Sequence, residues 1–321
     1  MTAFSKSTIG KQGFGGMPLS SIYGQSDDAE STATLHRAID LGVTFFDTSD
    51  SYGRGHNETL LGKALAGHRD KVVIASKFGF RFSSDQPGAK VDGSPAYARQ
   101  AVEASLKCLG VDHIDLHYLH RVDPNTPIED TVGELARLKE EGKIGAIGLS
   151  EASADIVRRA HKVHPIAALQ SEYSLWCREV ETEILPTVRE LGILFVPFSP
   201  LGRGFLAGSL PTEPGDRRQS DPRYHPDAVA ANPRRPPVAA KGAEPLGATA
   251  AQTAIAWLIA QDTVPIPGTR RIAHLETNWA ANDLILDAAN LAELDSAFPI
   301  GSTVGDRFAT TARPKPAAVP A

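Results

Sequence analysis

VTFFDTSDSYGRGHNETLLGKALAGHRDKVVIASK, residues 43–77, contains the unit from which the rest of the chain is built. It opens with a short β-branched and aromatic run, VTFFD (43–47), which predicts a strand. After a polar loop, ETLLGKALAG (58–67) spaces its apolar residues by three and four, as one face of a helix requires. KVVIASK (71–77) is then a second strand. A strand, a helix and a strand in that order imply parallel pairing, because the crossover brings the chain back in the same direction.

The same alternation runs outward in both directions. Further strands are predicted at HIDLHYLH (113–120), IGAIGLS (144–150), IAALQSEY (166–173), LFVPFSP (194–200) and TVPIPG (263–268). The weak stretch KQGFGGM (11–17) supplies an eighth. Helical spacing recurs at STATLHRAIDLG (31–42), YARQAVEASLKCLG (97–110), VGELARLKEEG (132–142) and VETEILPTVRELG (180–192). Gly42, Gly67, Gly110, Gly142 and Gly192 stand where left-handed caps would end helices. The strands are nearly continuous apolar runs, as expected of strands buried on both faces. Eight such units predict an α/β fold, an eight-stranded parallel (β/α)8 TIM barrel, over residues 1–321 as one domain. An open doubly wound sheet ranks lower, because the alternation never breaks into two halves. Residues 209–247, rich in Pro, Gly and charge, are expected to form a long loop, and residues 299–321 a loose C-terminal tail.

Bulk properties exclude several classes of function. The formal net charge of −5 lacks the basic field of a nucleic-acid or membrane-surface binder. No apolar run approaches the ~18 residues a membrane span needs, and the first residues hold no signal-peptide core, so a cytoplasmic location is expected. Cys108 and Cys177 are too few for a disulfide framework and lack metal-ligand spacing, so no metal is expected. The sequence carries no sign of an oligomeric state.

In a barrel of this kind the active site lies at the C-terminal strand ends. Asp47 closes the first strong strand with Tyr52 in the loop behind it, Lys77 closes the next, and His120 ends HIDLHYLH. Ser150, Gln170, Glu172 and Ser199 stand late in later strands. Each alone has a structural explanation, such as a cap, a solvated lysine or a packed histidine. Four converging on one mouth describe chemistry. A phenol titrates near pH 10; a neighbouring ammonium lowers that value, a carboxylate keeps the ammonium charged, and a histidine orients a substrate oxygen. The set suits a tyrosine acting as general acid or base on a small-molecule carbonyl or alcohol. A nicotinamide cofactor would supply the hydride that no side chain can.

GRGFLAG (202–208) matches a dinucleotide fingerprint but is rejected, since Pro211 and Pro214 stand where its helix should run. IPGTRR (266–271), after the last strand, is the better phosphate site, and Arg270 with Arg271 favours NADPH over NADH.

The chain resembles the aldo-keto reductase family in FFDTSDSYGRGHNETLLGKAL (45–65), KVVIASKFG (71–79), IDLHYLHRVDP (114–124), GKIGAIGLSEAS (142–153), QSEYSLW (170–176), PFSPLGRGFLAG (197–208) and IPGTRR…LETN (266–278). The resemblance implies a catalytic tetrad of Asp47, Tyr52, Lys77 and His120, with Tyr52 as proton donor. It also implies an NADPH/NADP+ site. That site would comprise Gly16 and Met17 of the glycine-rich opening, Asp47, Ser150, Gln170, Ser199, Pro200, Leu201, Gly202 and Gly204, then Gly268, Thr269, Arg270, Glu276 and Asn278. Tyr23, Phe78, Phe80 and Trp176 are candidate apolar walls of the substrate pocket, each equally suited to a core. The expected function is NADPH-dependent reduction of aldehydes or ketones. The alternatives are a nicotinamide-binding regulatory subunit of slow turnover and, ranked last, a hydrolase using Glu151 and Glu172.

Overall fold

The computed structural model describes residues 4–82, 88–211, 216–232 and 247–307. Its strands are β1 (Phe14–Gly15), β2 (Phe45–Asp47), β3 (Val73–Phe78), β4 (Phe80–Phe82), β5 (Ala89–Val91), β6 (Ile114–Leu119), β7 (Ile144–Ser150), β8 (Ala168–Glu172) and β9 (Leu194–Phe198). Seven form one parallel sheet in the order β1-β2-β3-β6-β7-β8-β9, and β4 pairs with β5 as a separate antiparallel hairpin. Periodicity did not foresee the hairpin.

Residues 263–268 close the sheet on itself. The N–H groups of Val264 and Ile266 donate to Phe195 and Pro197 of β9, each at 3.1 Å. On the other side Gly13 and Gly15 donate to the carbonyls of Pro265 and Pro267, at 3.0 and 3.3 Å. Pro265 and Pro267 have no N–H to return, so this edge of the ladder carries half its usual bonds. The segment nevertheless fills the eighth place, and the architecture is a (β/α)8 barrel with helices between the strands.

Strand periodicity then decides what faces inward. Phe45, Val73, Ala75, Leu116, Tyr118, Ala146, Ala168, Val196, Val264 and Ile266 plug the barrel. The opposite parity, including Phe46, Ile74, Phe78, Ile147 and Leu169, packs under the helices as the larger cluster. Gly148 makes room for the plug: a side chain there would stand 2.3 Å from the Tyr118 ring.

The helices begin where polar caps permit. Asp27, Ser94, Ser153 and Thr249 each accept an N–H of the first turn of the helix that follows. Gly42, Gly110, Gly142 and Gly192 take the left-handed backbone expected of them, whereas Gly67 lies inside the 3-10 turn Ala66–His68. The helix expected over 180–192 is divided into the turn Glu179–Glu181 and the helix Ile184–Glu190. Pro186 explains the break, since a proline fits the first turn of a helix and not its interior.

Of residues 209–247, the part from 216 to 232 contains two 3-10 turns, Arg217–Ser220 and Pro222–Tyr224, and the short helix Pro226–Ala231; residues 212–215 and 233–246 lie outside the described residues. Residues 299–307 dock across this segment and the barrel's end. Asn232 bonds the Val304 main chain, Arg223 donates to the Gly305 carbonyl and Thr303 to that of Trp176. The rest of the expected tail, 308–321, is outside the described residues.

Candidate active site

Two residues beyond the apolar plug, the same inward parity places polar groups at the barrel mouth. Phe45 gives way to Asp47, Ala75 to Lys77, Gly148 to Ser150 and Ala168 to Gln170, and His120 follows Tyr118 just past the end of β6. Tyr52 enters from the loop between β2 and the helix His56–Leu65. The four residues expected to form a tetrad are thus brought together.

Lys77 is fully buried, and its Nζ is ion-paired with Asp47 Oδ1. The same nitrogen donates to the Thr48 carbonyl at 2.7 Å and to Tyr52 Oη at 3.3 Å, filling the three positions of an ammonium. Gln170 Nε2 donates to the second oxygen of Asp47 at 2.8 Å. The His120 ring meets that of Tyr52 edge-on, with centroids 5.9 Å apart, and its Nδ1 lies 3.1 Å from Ser49 Oγ.

Burial sets the protonation states here. It pushes the Tyr52 phenol upward, and the pull of Lys77 in the opposite direction does not overcome it. The expected lowering by the ammonium is therefore outweighed, and Tyr52 keeps its proton. Burial works against the Lys77 ammonium, but Asp47 and Tyr52 more than offset it and hold Lys77 above its ordinary value. Burial, with the cations Arg121 and Lys77, holds His120 well below the usual imidazole value, so the ring is neutral. The arrangement can hold one phenolic proton beside a fixed, buried positive charge.

The residues expected to meet a cofactor stand at strand ends, in the loops after them and on the helix Ile272–Trp279. Ser150 Oγ accepts from Arg121 at 3.3 Å. The loop after β9 turns through left-handed backbone at Ser199, Gly202, Arg203 and Gly204; for Ser199 and Arg203, which carry side chains, that conformation is strained. Gly268 lies against β1 so closely that a side chain there would stand 2.2 Å from the Gly15 carbonyl oxygen. Gly16 donates its N–H to the Asp47 carbonyl at 2.7 Å, with Met17 opening the 3-10 turn beside it. Thr269 is buried, and Arg270 donates to the carbonyls of Tyr23 and Gly24. Among the described residues no carboxylate forms an ion pair with Arg270 or Arg271. Asn278 is buried on the helix Ile272–Trp279, while Glu276 on the same helix pairs with Arg37 at 2.7 Å. Glycine-built backbone, two hydroxyls and two guanidinium groups without a carboxylate partner among the described residues fit an anionic dinucleotide.

The expected walls separate into two kinds. Phe80 packs edge-on against His120, with centroids 4.9 Å apart, and Tyr23 lies near enough to Tyr52 for their charges to couple. Phe78 does not reach the mouth: one residue beyond Lys77, it faces the helix layer and stacks on His117. Trp176 is buried and stacked on Phe205 at 4.0 Å, which places it in the core beneath the rim. Glu172 is held low by Arg307, Arg203 and Arg223 despite burial, and Glu151 pairs with Arg307 as well. Glu172 is thus the opposite of a glycosidase acid, whose carboxyl is raised.

Sequence reasoning passed over Ser49, Arg121 and Arg307. The first two are neighbours in sequence of Asp47 and His120, within motifs quoted for other residues. Arg307 gave no signal, because its partners lie more than a hundred residues away.

Comparison with known proteins agrees with this geometry. The profile of the aldo/keto reductase family matches residues 11–298. A probable aldo-keto reductase 1 of Glycine max is 45% identical over 309 residues, covering 94% of this chain and 88% of the relative. Among solved structures, a glycerol dehydrogenase of Gluconobacter oxydans superposes with TM-score 0.81 at 28% identity, covering 90% of this chain and 91% of that one. An aldo/keto reductase of Klebsiella pneumoniae in complex with NADP and acetate does so with TM-score 0.72 at 26% identity, covering 94% and 95%.

Proposed function

The chain belongs to the aldo/keto reductase family, and on that premise we propose that it is an NADPH-dependent reductase of aldehydes or ketones in which Tyr52 is the proton donor. The family membership supports an oxidoreductase acting on small carbonyl compounds, and relatives crystallised with NADP or NADPH support a nicotinamide cofactor. The observation that carries the finer reading is the buried Lys77 held between Asp47 and Tyr52, with the neutral His120 ring beside them.

When bound, NADPH supplies the hydride that reaches the carbonyl carbon. Tyr52 holds the proton that the developing alkoxide needs and donates it from Oη. Lys77 stabilises the phenolate left behind, and Asp47 with Gln170 keeps the ammonium in place. His120 offers a ring nitrogen to the carbonyl oxygen and so orients it toward Tyr52. Ser150, the loop at residues 199–204, Thr269, Arg270 and Asn278 would hold the dinucleotide, together with Gly16 and Met17. Arg270 and Arg271 would read the additional phosphate. The reverse reaction, oxidation of an alcohol, uses the same groups with the proton returning to Tyr52.

Titration of the protein with NADPH and NADH, followed by tryptophan fluorescence, tests the cofactor assignment. The reading expects tight binding with a clear preference for NADPH. Absence of binding by either nucleotide would sink it.

A further inference from the structure

Ser49 is a buried polar group to which the proposed mechanism gives no task. Its Oγ lies 3.1 Å from His120 Nδ1, 3.2 Å from Asp50 Oδ1 and 2.9 Å from Ser51 Oγ. It also accepts the Ser51 N–H at 3.2 Å, and the Lys77 carbonyl is a longer contact at 3.4 Å. A hydroxyl has one proton to give and two lone pairs to receive with. A neutral imidazole carries one N–H, and the partner of one nitrogen decides which of the two bears it.

With the Ser51 hydroxyl proton directed away from Ser49, two arrangements satisfy these rules. With Asp50 protonated, its O–H and the Ser51 N–H fill both lone pairs of Ser49. The Ser49 proton then goes to His120 Nδ1, and Nε2 must bear the imidazole hydrogen. With Asp50 ionised, the carboxylate takes the Ser49 proton, Nδ1–H donates to Ser49, and Nε2 is left bare. The first ring can donate to a carbonyl oxygen; the second can only accept, as from the hydroxyl of an alcohol.

We propose that the hydrogen-bonded chain Asp50–Ser49–His120 sets the tautomer of His120 and so decides whether Nε2 meets the barrel mouth as a donor or an acceptor. Ser49 and Asp50 are positioning residues, acting through the histidine. The effect on turnover rests on the proposed role of His120. The surroundings of Asp50 make its protonated form accessible near neutrality: burial and then the neighbouring Glu58 raise it to about 7, against Ser49, Ser51 and Lys77. Besides these, Tyr97 and Cys108 from the helix Pro95–Leu109 face it. Arg121, Lys77 and Tyr52 face His120, and burial, with the two cations adding, keeps that ring neutral, so its response to pH is a change of tautomer rather than of charge.

Nitrogen NMR of protein labelled with 15N-histidine reads the tautomer without turnover. The His120 signals are those lost in both His120→Gln and His120→Asn. At pH 6 the wild-type ring is expected as Nε2–H. Ser49→Ala should mix the two tautomers and Ser49→Thr should keep the first. At pH 8 the wild type should move toward Nδ1–H, while Asp50→Asn, whose amide can still donate to Ser49, should not. In parallel, kcat/KM for carbonyl reduction should fall about tenfold in Ser49→Ala, with NADPH affinity unchanged, and recover in Ser49→Thr. A His120 ring indifferent to Ser49, or already Nδ1–H at pH 6, overturns the inference. An inactive protein with the expected tautomers would instead sink the reductase reading and leave this one standing.

Discussion

Replacing Lys77 by Met removes an ammonium whose carboxylate partner is almost wholly shielded from water. Lys77 is 0% and Asp47 2% exposed. After the substitution Asp47 keeps the Gln170 amide at 2.8 Å but loses its ion-pair partner. Breaking a buried pair in this way costs about 3–5 kcal/mol, because the remaining charge is left uncompensated. At roughly 2 °C per kcal/mol for a chain of this length, Tm should fall by about 6–10 °C. The loss should depend on pH with a definite sign. Burial already raises the Asp47 carboxyl against the pull of Lys77. Without Lys77 its folded pKa climbs further above the unfolded value, so the carboxyl can shed its charge by taking up a proton. The deficit is therefore small near pH 4 and grows as pH rises toward the folded pKa. Asp47→Asn combined with Lys77→Met removes both charges and should recover most of the stability, while turnover stays lost in single and double variants alike. Thermal unfolding by circular dichroism at pH 5 and 8, beside NADPH turnover, makes the comparison. Equal melting of the single and double variants, or turnover surviving in either, would refute the reasoning.

Tyr52→Phe should reduce carbonyl turnover by at least a hundredfold, on the scale of general-acid catalysis, and leave NADPH affinity intact in a fluorescence titration. Arg270→Ala with Arg271→Ala should weaken NADPH by about tenfold or more and leave NADH unchanged, measured in the same titration, if these guanidinium groups read the additional phosphate. His117 is buried under the helices, and burial, with Lys77 adding, lowers its pKa from 6.5 to about 3. A depressed histidine contributes stability above its unfolded pKa that is lost as pH falls toward the folded value. Between pH 7.5 and 5 the wild type should thus lose about 2 kcal/mol more than His117→Leu does in urea unfolding; parallel pH profiles would refute this.

What was legible in the sequence followed from periodicity and strand ends. The runs are apolar on both faces, so the inward parity emerges only in the closed barrel, and two residues further along that face stand Asp47, Lys77, Ser150 and Gln170, legible in the sequence as polar strand ends. The same parity, applied one residue along, excludes Phe78 from the mouth; the sequence reading judged it by its aromatic character and not by its face. Trp176 takes the core alternative left open for it, stacked on Phe205, which its aromatic character alone does not decide. The weakly marked strand was 11–17, of which only Phe14–Gly15 is regular, and the bonds of Gly13 and Gly15 to Pro265 and Pro267, with those of Val264 and Ile266 to Phe195 and Pro197, place the expected strand 263–268 between it and β9. The lowering of the Tyr52 pKa was expected from its charged neighbour alone. How deeply the phenol is buried is a property of the assembled mouth and reverses the net direction. Long-range pairing, as between Arg307 and the carboxylates Glu151 and Glu172, has no local sequence pattern to announce it.

The central claim is transfer of hydride from a nicotinamide to a carbonyl carbon, with Tyr52 giving the proton. NADPH carrying deuterium at the transferring C4 position, incubated with the protein and a panel of small aldehydes and ketones, tests it most directly. The account predicts alcohol products bearing deuterium on the carbinol carbon in the wild type, and almost none formed by Tyr52→Phe. Alcohol without deuterium, or equal product from the variant, would contradict it.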